Sequence, residues 1–233
     1  IWTQMNGANP GLQGSYSYFQ KECVTQIEKK KDEVKATRLQ AIIKPFILRR
    51  TKDQVAKELP PKTEQTVYCE MLDDQAEWYE SVKSEYRNAI WDNALKQNGK
   101  GNQIILLQGL TKRHQIANHP RMIQQEQTQG SGKFDAVIEM IENVSAEGHK
   151  VLIFSQFVKH LQLFKAYFEH KTMAYAYLDG STRDRAEAVS TFKGQTDINL
   201  FLISIKAGGV GLNLTEADYV FILDPWWNPA VEQ

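Results

Sequence analysis

The feature that most constrains the fold is a glycine-rich segment that lies between two short apolar runs near the end of the chain. Residues 200–203 and 219–223 are continuously apolar and rich in β-branched and aromatic side chains, which is typical of strands covered on both faces of a parallel sheet. Residues 204–209, with the sequence SIKAGG, directly follow the first run. Because ligands of open α/β sheets bind beyond the carboxyl ends of the strands, this segment is a candidate binding edge.

The glycines of this segment can bring the backbone close to an anion. Gly208, Gly209 and Gly211 carry no side chain, so their backbone N–H groups can approach a phosphate oxygen, above all where a helix begins. Ser204 and Lys206 can add a hydroxyl group and a positive charge. The alternative is that the glycines only permit a tight turn from strand to helix.

The second half of the chain alternates apolar runs with amphipathic segments. This alternation predicts an α/β fold with a doubly wound parallel sheet flanked by helices. The predicted strands are residues 151–154, 174–178, 200–203 and 219–223, and the predicted helices are residues 134–146, 157–170 and 183–192. Ser181 and Asp184 are expected to form a capping box at the start of the last of these helices.

The first half of the chain is predicted to be mainly helical. Residues 16 to about 59 are predicted to be helical, with Pro45 and the pair Pro60 and Pro61 interrupting the pattern. A long helix is predicted to open with a capping box of Asp74 and Glu77 and to end at residues 98–101, and another helix is predicted at residues 104–116. One strand is predicted at residues 66–71. Residues 124–132, QQEQTQGSG, are polar and of low complexity, which predicts a flexible connector between the two halves.

Composition limits the class of protein without identifying it. The chain has 233 residues, 42% of them apolar, so it can bury a substantial core. Its 28 basic and 28 acidic residues balance, so any contact with nucleic acid depends on the local placement of charge. An apolar run of about 18 residues and a secretory leader are both absent from the sequence, which predicts an intracellular location and no membrane contact.

The cysteines and histidines do not predict a metal site. Cys23 and Cys69 are isolated thiols, which suits a reducing compartment. His114 and His119 have no cysteine or third histidine near them in the sequence, whereas zinc sites need a larger set of such ligands. We therefore expect His119, beside a proline, to be a packing residue and expect no bound metal.

Two segments look like nucleotide-binding motifs and fail the pattern. Residues 130–133, GSGK, would end a P-loop only with glycine in place of Gln127 and serine or threonine in place of Phe134. Asp32 and Glu33 look like a magnesium-binding pair, but such a pair follows a buried strand and these residues follow three lysines.

Several blocks, in a fixed order, resemble the second motor lobe of the Swi/Snf family of helicase-related DNA translocases. The family's motif V pattern, Ser-x-x-Ala-Gly-Gly-x-Gly-x-Asn-Leu, is matched by residues 204–214. The other blocks are the crossover signature KPFILRRTKDQVAKELPPK at residues 44–62, Asn-His-Pro at residues 118–120, motif IV KVLIFSQF at residues 150–157, motif IVa YLDGSTRDRAEAVSTFK at residues 177–193, and residues 224–229 beyond motif V. The resemblance covers nearly the whole chain.

The resemblance implies a RecA-like doubly wound sheet and a division of the chain into four parts. Residues 1–65 would be the end of the first motor lobe and the crossover linker, and residues 66–123 a strand and helical protrusion. Residues 124–132 would be the connector, and residues 133–233 the second helicase lobe, truncated before motif VI. The chain begins without methionine and stops inside a block, so we expect a fragment.

The resemblance also implies which residues bind ligands. The residues expected to contact DNA are Ser155, Gln156, Gly180, Ser181, Ser204, Lys206, Ala207, Gly208, Trp227 and Asn228. The residues expected near ATP are Gly209, Gly211 and Gln233. Three positions have alternatives or departures: Ser155 can instead cap a helix, Trp227 can instead cover the end of the sheet, and Lys206 stands where relatives carry arginine, so it cannot form the bidentate fork of a guanidinium group.

The implied function is that of a DNA-dependent ATPase that translocates on duplex DNA and remodels protein–DNA complexes. ATP and Mg²⁺ would bind mainly through a P-loop lysine, an Asp-Glu pair and motif VI arginines, none of which occurs in these residues, so the fragment alone is expected to be inactive. The expected partners are duplex DNA and an unidentified DNA-bound protein, with a monomeric motor in the cytoplasm, nucleoid or nucleus. The alternatives are an RNA helicase lobe, whose DEAD-box motif V differs at residues 209–213, and a non-catalytic nucleic-acid-binding or scaffold domain.

Overall fold

The computed structural model describes residues 1–48, 50, 63–97, 101–126, 128–208 and 212–225. The chain forms two compact units, Ile1–Gln65 and Thr66–Gln233. None of the helices within the described ranges is long and apolar enough to cross a membrane.

The first unit is helical. Its elements are α1 (Trp2–Ala8), α2 (Tyr16–Phe19), a π-helical stretch at Gln20–Lys29, α3 (Glu33–Ile43) and a 3₁₀ turn at Lys44–Phe46. The region predicted to be helical at residues 16–59 thus consists of several helical segments as far as Phe46, and its residues 49 and 51–59 lie outside the described residues. Asp32 caps α3 by accepting a hydrogen bond from the Lys35 N–H at 3.0 Å, which is a structural use of the side chain that resembled a magnesium ligand.

A hairpin of two long helices opens the second unit. It consists of α4 (Asp73–Gln97) and α5 (Asn102–Asn118), followed by a 3₁₀ turn at Pro120–Met122. The helices approach closely at Gly109, where a Cβ atom would lie 2.7 Å from the ring of Tyr86. Glycine is therefore required at this helix crossing.

Two expectations for this region are wrong. Residues 66–71 form no strand, because within the described ranges no other strand pairs with them, and Tyr68 is 92% exposed. The capping box of Asp74 and Glu77 is also displaced. The helix begins at Asp73, and Gln75 Oε1 accepts the N–H of Leu72 at 3.3 Å, so Gln75 has the capping role that was predicted for Glu77.

The rest of the second unit is built on a parallel sheet. Its strands are β1 (Val151–Ser155), β2 (Tyr175–Leu178), β3 (Leu200–Ser204) and β4 (Tyr219–Ile222), in the order β2-β3-β1-β4. Its helices are α6 (Gly132–Ala146), α7 (Val158–His170), α8 (Arg185–Gly194) and the single turn α9 (Ile205–Gly208). All three strand pairs are parallel, so the predicted doubly wound α/β sheet with a helical first half is confirmed.

Helices cover the two faces of this sheet, because alternate side chains of each strand point to opposite sides. Val151 and Ile153 pack with residues of α6 and α7, whereas Leu152 packs with Phe192 of α8. Among the described strands β4 lies at an edge and pairs only with β1. The side chains of β4 are unusually solvent-exposed for an apolar strand: Tyr219, Val220 and Ile222 are 41%, 56% and 42% exposed.

Candidate nucleic-acid interface

The carboxyl ends of β1 and β3 meet at the same level of the sheet. Ser155 and Ser204, the last residues of these strands, are register partners. On the other side of β1, the Leu223 N–H donates to the carbonyl of Phe154 at 2.9 Å, which brings the chain beyond β4 to the same edge. The motif IV turn with Gln156, the motif V turn and the first residues beyond β4 are therefore neighbours at one edge of the sheet.

The motif V segment turns directly from β3 into α9. Ser204 and Ala207 are buried, whereas Lys206 is exposed. At Gly208 a Cβ atom would lie 2.8 Å from Ile203 and 3.1 Å from Phe154, so this glycine is required for packing, and its predicted contact with DNA stays a prediction. Of these four predicted contact residues, Lys206 is the one whose side chain reaches solvent.

The hydroxyl of Ser155 is used inside the protein. It is fully buried, donates to Asp224 Oδ1 at 2.7 Å and accepts the Phe157 N–H at 3.0 Å. It does not cap α7, because that helix begins at Val158 with Phe157 in the cap position and no side-chain cap. Its role is to hold Asp224 at the end of the sheet.

Gln156 combines a fixed backbone with a partly open side chain. Its N–H donates to Asp224 Oδ2 at 2.7 Å, and its side-chain amide lies 3.5 Å from His114 Nδ1. Asp224 therefore fixes the last residue of the motif IV strand and the residue that follows it. Its own pKa is raised by burial but lowered more by hydrogen bonds from His160 and Ser155, so that it lies below the usual value of an aspartate.

The motif IVa turn differs from the expected anion site. The predicted capping box is wrong, because α8 begins at Arg185 and Asp184 is its cap residue. The N–H and hydroxyl of Ser181 both donate to Asp179 Oδ1, at 2.8 and 2.6 Å. Asp179 thus accepts both Ser181 donors that were expected to bind a phosphate. Burial of Asp179 raises its pKa, but these hydrogen bonds lower the pKa more. Gly180 is exposed, with no atom within 4 Å of a Cβ at that position.

A buried polar cluster at this edge was missed by the sequence reasoning. Lys133 Nζ donates to Asn118 Oδ1 at 2.6 Å and to the backbone carbonyl of Leu223. Burial lowers the pKa of Lys133, and the nearby Asp224 carboxylate opposes that shift. Lys133, Asn118 and Asp224 each lie in a motif-like segment of the sequence, which marked them as candidates. Their spacing along the chain does not show that they are in contact.

Three histidines around this cluster are kept neutral by burial. The fully buried His160 lies with Nδ1 3.4 Å from Asp224 Oδ1, yet burial lowers its pKa against the attraction of that carboxylate. Burial lowers the pKa of His119 to about 4, and its Nδ1 accepts the Arg121 N–H at 3.2 Å. Burial also lowers the pKa of His114. The described part of the chain contains no group of three or more metal-ligating residues.

Acid is therefore expected to destabilise the second unit before its carboxylates titrate. His119 binds a proton below pH 6.5 when unfolded and below about pH 4 when folded, so its contribution to the free energy of unfolding is complete above pH 6.5 and is lost as pH falls towards 4. At pH 5 the loss is about 2 kcal/mol. Between pH 7.5 and pH 5, the free energy of unfolding measured with urea should fall by about 2 kcal/mol less in His119→Asn than in the parent. The exposed His170→Gln is the control, and equal losses in parent and His119→Asn would contradict the assignment.

Both halves of the chain match known protein families. Residues 1–122 match the family described as SNF2-related domain, and residues 132–233 match the one described as helicase conserved C-terminal domain. The chain belongs to the SNF2-related family. The resemblance to Swi/Snf motors that the motifs indicated is thereby confirmed.

Relatives match along the full chain. YwqA of Bacillus subtilis, named as an ATP-dependent helicase or translocase, is 34% identical over 100% of this chain and 26% of its own length. The mouse SWI/SNF-related matrix-associated actin-dependent regulator of chromatin subfamily A member 1 is 32% identical over 100% of this chain and 23% of its own length. The chain thus spans about a quarter of the length of these two curated relatives.

Solved structures agree on the fold. The SWI2/SNF2 ATPase core domain of Sulfolobus solfataricus is 35% identical, with a TM-score of 0.64 over 99% of this chain and 48% of that one. The same core in complex with double-stranded DNA is 34% identical, with a TM-score of 0.62 over 98% of this chain and 49% of that one. The α/β architecture of this SNF2-related chain is accordingly RecA-like.

Part of the predicted site lies outside the described residues. These positions are Gly209, Gly211, Trp227, Asn228 and Gln233. The contacts predicted for them with DNA and ATP stay predictions, as does the division of the chain at residues 65, 123 and 132.

Proposed function

We propose that this chain belongs to a DNA-dependent ATPase that translocates on duplex DNA and remodels protein–DNA complexes. It would supply the second RecA-like lobe and the end of the first. The observation that carries the proposal is the register of Ser155 with Ser204, which brings the motif IV and motif V turns side by side at the carboxyl end of the sheet, where open α/β sheets generally bind ligands. The relative solved with double-stranded DNA supports duplex DNA as the ligand.

The exposed cations at this edge are the groups that we expect to bind the DNA backbone. Lys206 follows β3, and Arg183 and Arg185 follow β2; all three side chains are exposed. Because the whole chain has a formal charge of zero, attraction to phosphates must come from such a local group. Gln156 and Gly180 can add hydrogen bonds to the sugar–phosphate backbone.

ATP and Mg²⁺ are proposed as ligands of the motor as a whole. Gly209, Gly211 and Gln233 would face the nucleotide. A P-loop lysine and an Asp-Glu pair that follows a buried strand would make most of the contacts, and neither motif occurs in these residues. Arginines of the kind found in motif VI contribute roughly 10³ to 10⁵ in rate in related phosphoryl transfers. We therefore propose that these 233 residues alone do not hydrolyse ATP, and that the motor works as a monomer on an unidentified DNA-bound protein.

Lys206→Ala in the full-length protein is expected to weaken duplex binding by roughly three- to tenfold and to reduce the salt slope of binding by about one ion. The matched control is Lys171→Ala, because Lys171 is an exposed lysine just after α7, at the opposite edge of the sheet. DNA-stimulated phosphate release and duplex affinity are measured across a salt series. Equal behaviour of the two variants would contradict the proposed DNA edge.

The same assay separates the other two functions. Stimulation by RNA rather than duplex DNA would indicate an RNA helicase lobe, and nucleic-acid binding without any turnover in the full-length protein would indicate a scaffold domain. Phosphate release from the isolated chain above that of buffer would contradict the proposal that the chain is inactive by itself.

A further inference from the structure

Lys133 connects two parts of the second unit that are far apart in sequence. Its ammonium group donates to the side chain of Asn118, at the end of α5, and to the carbonyl of Leu223, just beyond β4. An ammonium group has three donors and no acceptor, so one side chain can hold both acceptors at a fixed separation. Lys133 is thus a direct link from the helical hairpin to the edge of the sheet.

On the hairpin side, the link ends in a rigid junction. Ser131 Oγ donates to the carbonyl of Asn118 at 2.7 Å, and its oxygen also accepts the N–H of Phe134 as the cap of α6. Gln75 Nε2, at the start of α4, donates to the carbonyl of Ile116 at 2.8 Å. The starts of α4 and α6 and the end of α5 are therefore tied together by buried side chains.

On the sheet side, the link ends at the candidate DNA edge. The residue after Leu223 is Asp224, whose carboxylate holds Ser155 and the backbone of Gln156. Asp224 also acts electrostatically on Lys133. A displacement of the hairpin can thus be transmitted from Lys133 to Leu223 and Asp224, and from the buried Asp224 carboxylate to the backbone of Gln156.

We infer that Lys133 is a positioning residue that couples the α4–α5 hairpin to the DNA-facing edge of the sheet. It does not contact DNA or ATP in this proposal, which rests on the proposed function. Instead it fixes Leu223 and Asp224 relative to Asn118, so that Gln156 is held in the geometry that binds the sugar–phosphate backbone. Loss of the link leaves the sheet folded but lets this edge move.

The test compares Lys133→Met with Ser131→Ala in the full-length protein. Methionine keeps most of the length of the side chain and removes its donors and charge, whereas Ser131→Ala removes a cap and a hydrogen bond to Asn118 but leaves the lysine link intact. Both are expected to lower the melting temperature. Only Lys133→Met is expected to raise the DNA concentration for half-maximal ATPase stimulation, by roughly tenfold, while its turnover without DNA stays within about twofold of the parent.

A second variant keeps the test decisive if Lys133→Met does not fold. Asn118→Ala removes only the hairpin end of the link and leaves Lys133 on Leu223, and it is expected to raise the half-maximal DNA concentration in the same direction. The inference is overturned if the folded link variants need no more DNA than the parent, or if Ser131→Ala raises the requirement as much as they do. Failure of the proposed function is distinguishable, because the parent itself would then show no DNA stimulation.

Discussion

Replacing Gly132 by alanine is expected to lower the free energy of unfolding of the second unit by about 3 kcal/mol or more. A Cβ atom at this position would lie 2.1 Å from the carbonyl oxygen of Glu70 and 3.3 Å from its carbonyl carbon. The neighbour is backbone, so no side-chain rotation can relieve the overlap. The segment must shift as a whole, although Leu72 is held by Gln75 at the start of α4.

Gly194→Ala is the matched control for this substitution. Gly194 is the last residue of α8, and a Cβ atom there would meet nothing within 4 Å, so alanine is expected to change stability by no more than about 1 kcal/mol. Urea unfolding followed by circular dichroism gives both values. A Gly132→Ala protein as stable as the parent would show that residues 130–133 do not pack against Glu70.

Replacing Asp224 by alanine is expected to cost about 3 to 5 kcal/mol of stability, because removing one partner leaves the other buried groups uncompensated. The carboxylate accepts from Ser155 Oγ and the Gln156 N–H, and lies beside His160 Nδ1. Asp224, Ser155 and His160 are fully buried and Gln156 is half-buried, so water cannot fully replace the lost acceptor.

The exposed Asp197→Ala is the control for the loss of a carboxylate, and a change within about 0.5 kcal/mol is expected there. Asp224→Asn keeps one acceptor oxygen and is expected to fall between the alanine variant and the parent. Thermal and urea unfolding of the three variants give the ranking. If Asp224→Ala matched Asp197→Ala, Asp224 would have to be solvated rather than buried.

The strands and most helices could be predicted because their signals are local. Residues 151–154 and 200–203 are apolar without interruption, and the structure has strands at these positions. Residues 66–71, TVYCEM, also contain β-branched and aromatic residues, but no described strand pairs with them, so β-propensity alone gave the wrong result there. Local pattern determines whether a strand can form, and the tertiary fold determines whether it does.

The sequence predicts which edge of the sheet forms the candidate site, but it does not predict the contacts of the side chains there. The sequence placed Ser155 and Ser181 at the correct ends of strands, yet their hydroxyl groups bond to Asp224 and Asp179. Lys133 and Leu223 are 90 residues apart in sequence, and no local pattern indicates such a contact. The rejected P-loop segment, residues 130–133, is in fact a packing junction: it supplies a cap, a close backbone contact and the Lys133 link.

The unpaired backbone edge of β4 bears on self-association of this SNF2-related chain. Within the described residues, one flank of β4 presents backbone donors and acceptors that no neighbouring strand takes up, beside the exposed Tyr219, Val220 and Ile222. Such a flank is a template on which a second molecule can extend the sheet, and it bears none of the lysines or prolines that commonly block such growth. We therefore expect concentrated samples to self-associate through such edges, that of β4 among them.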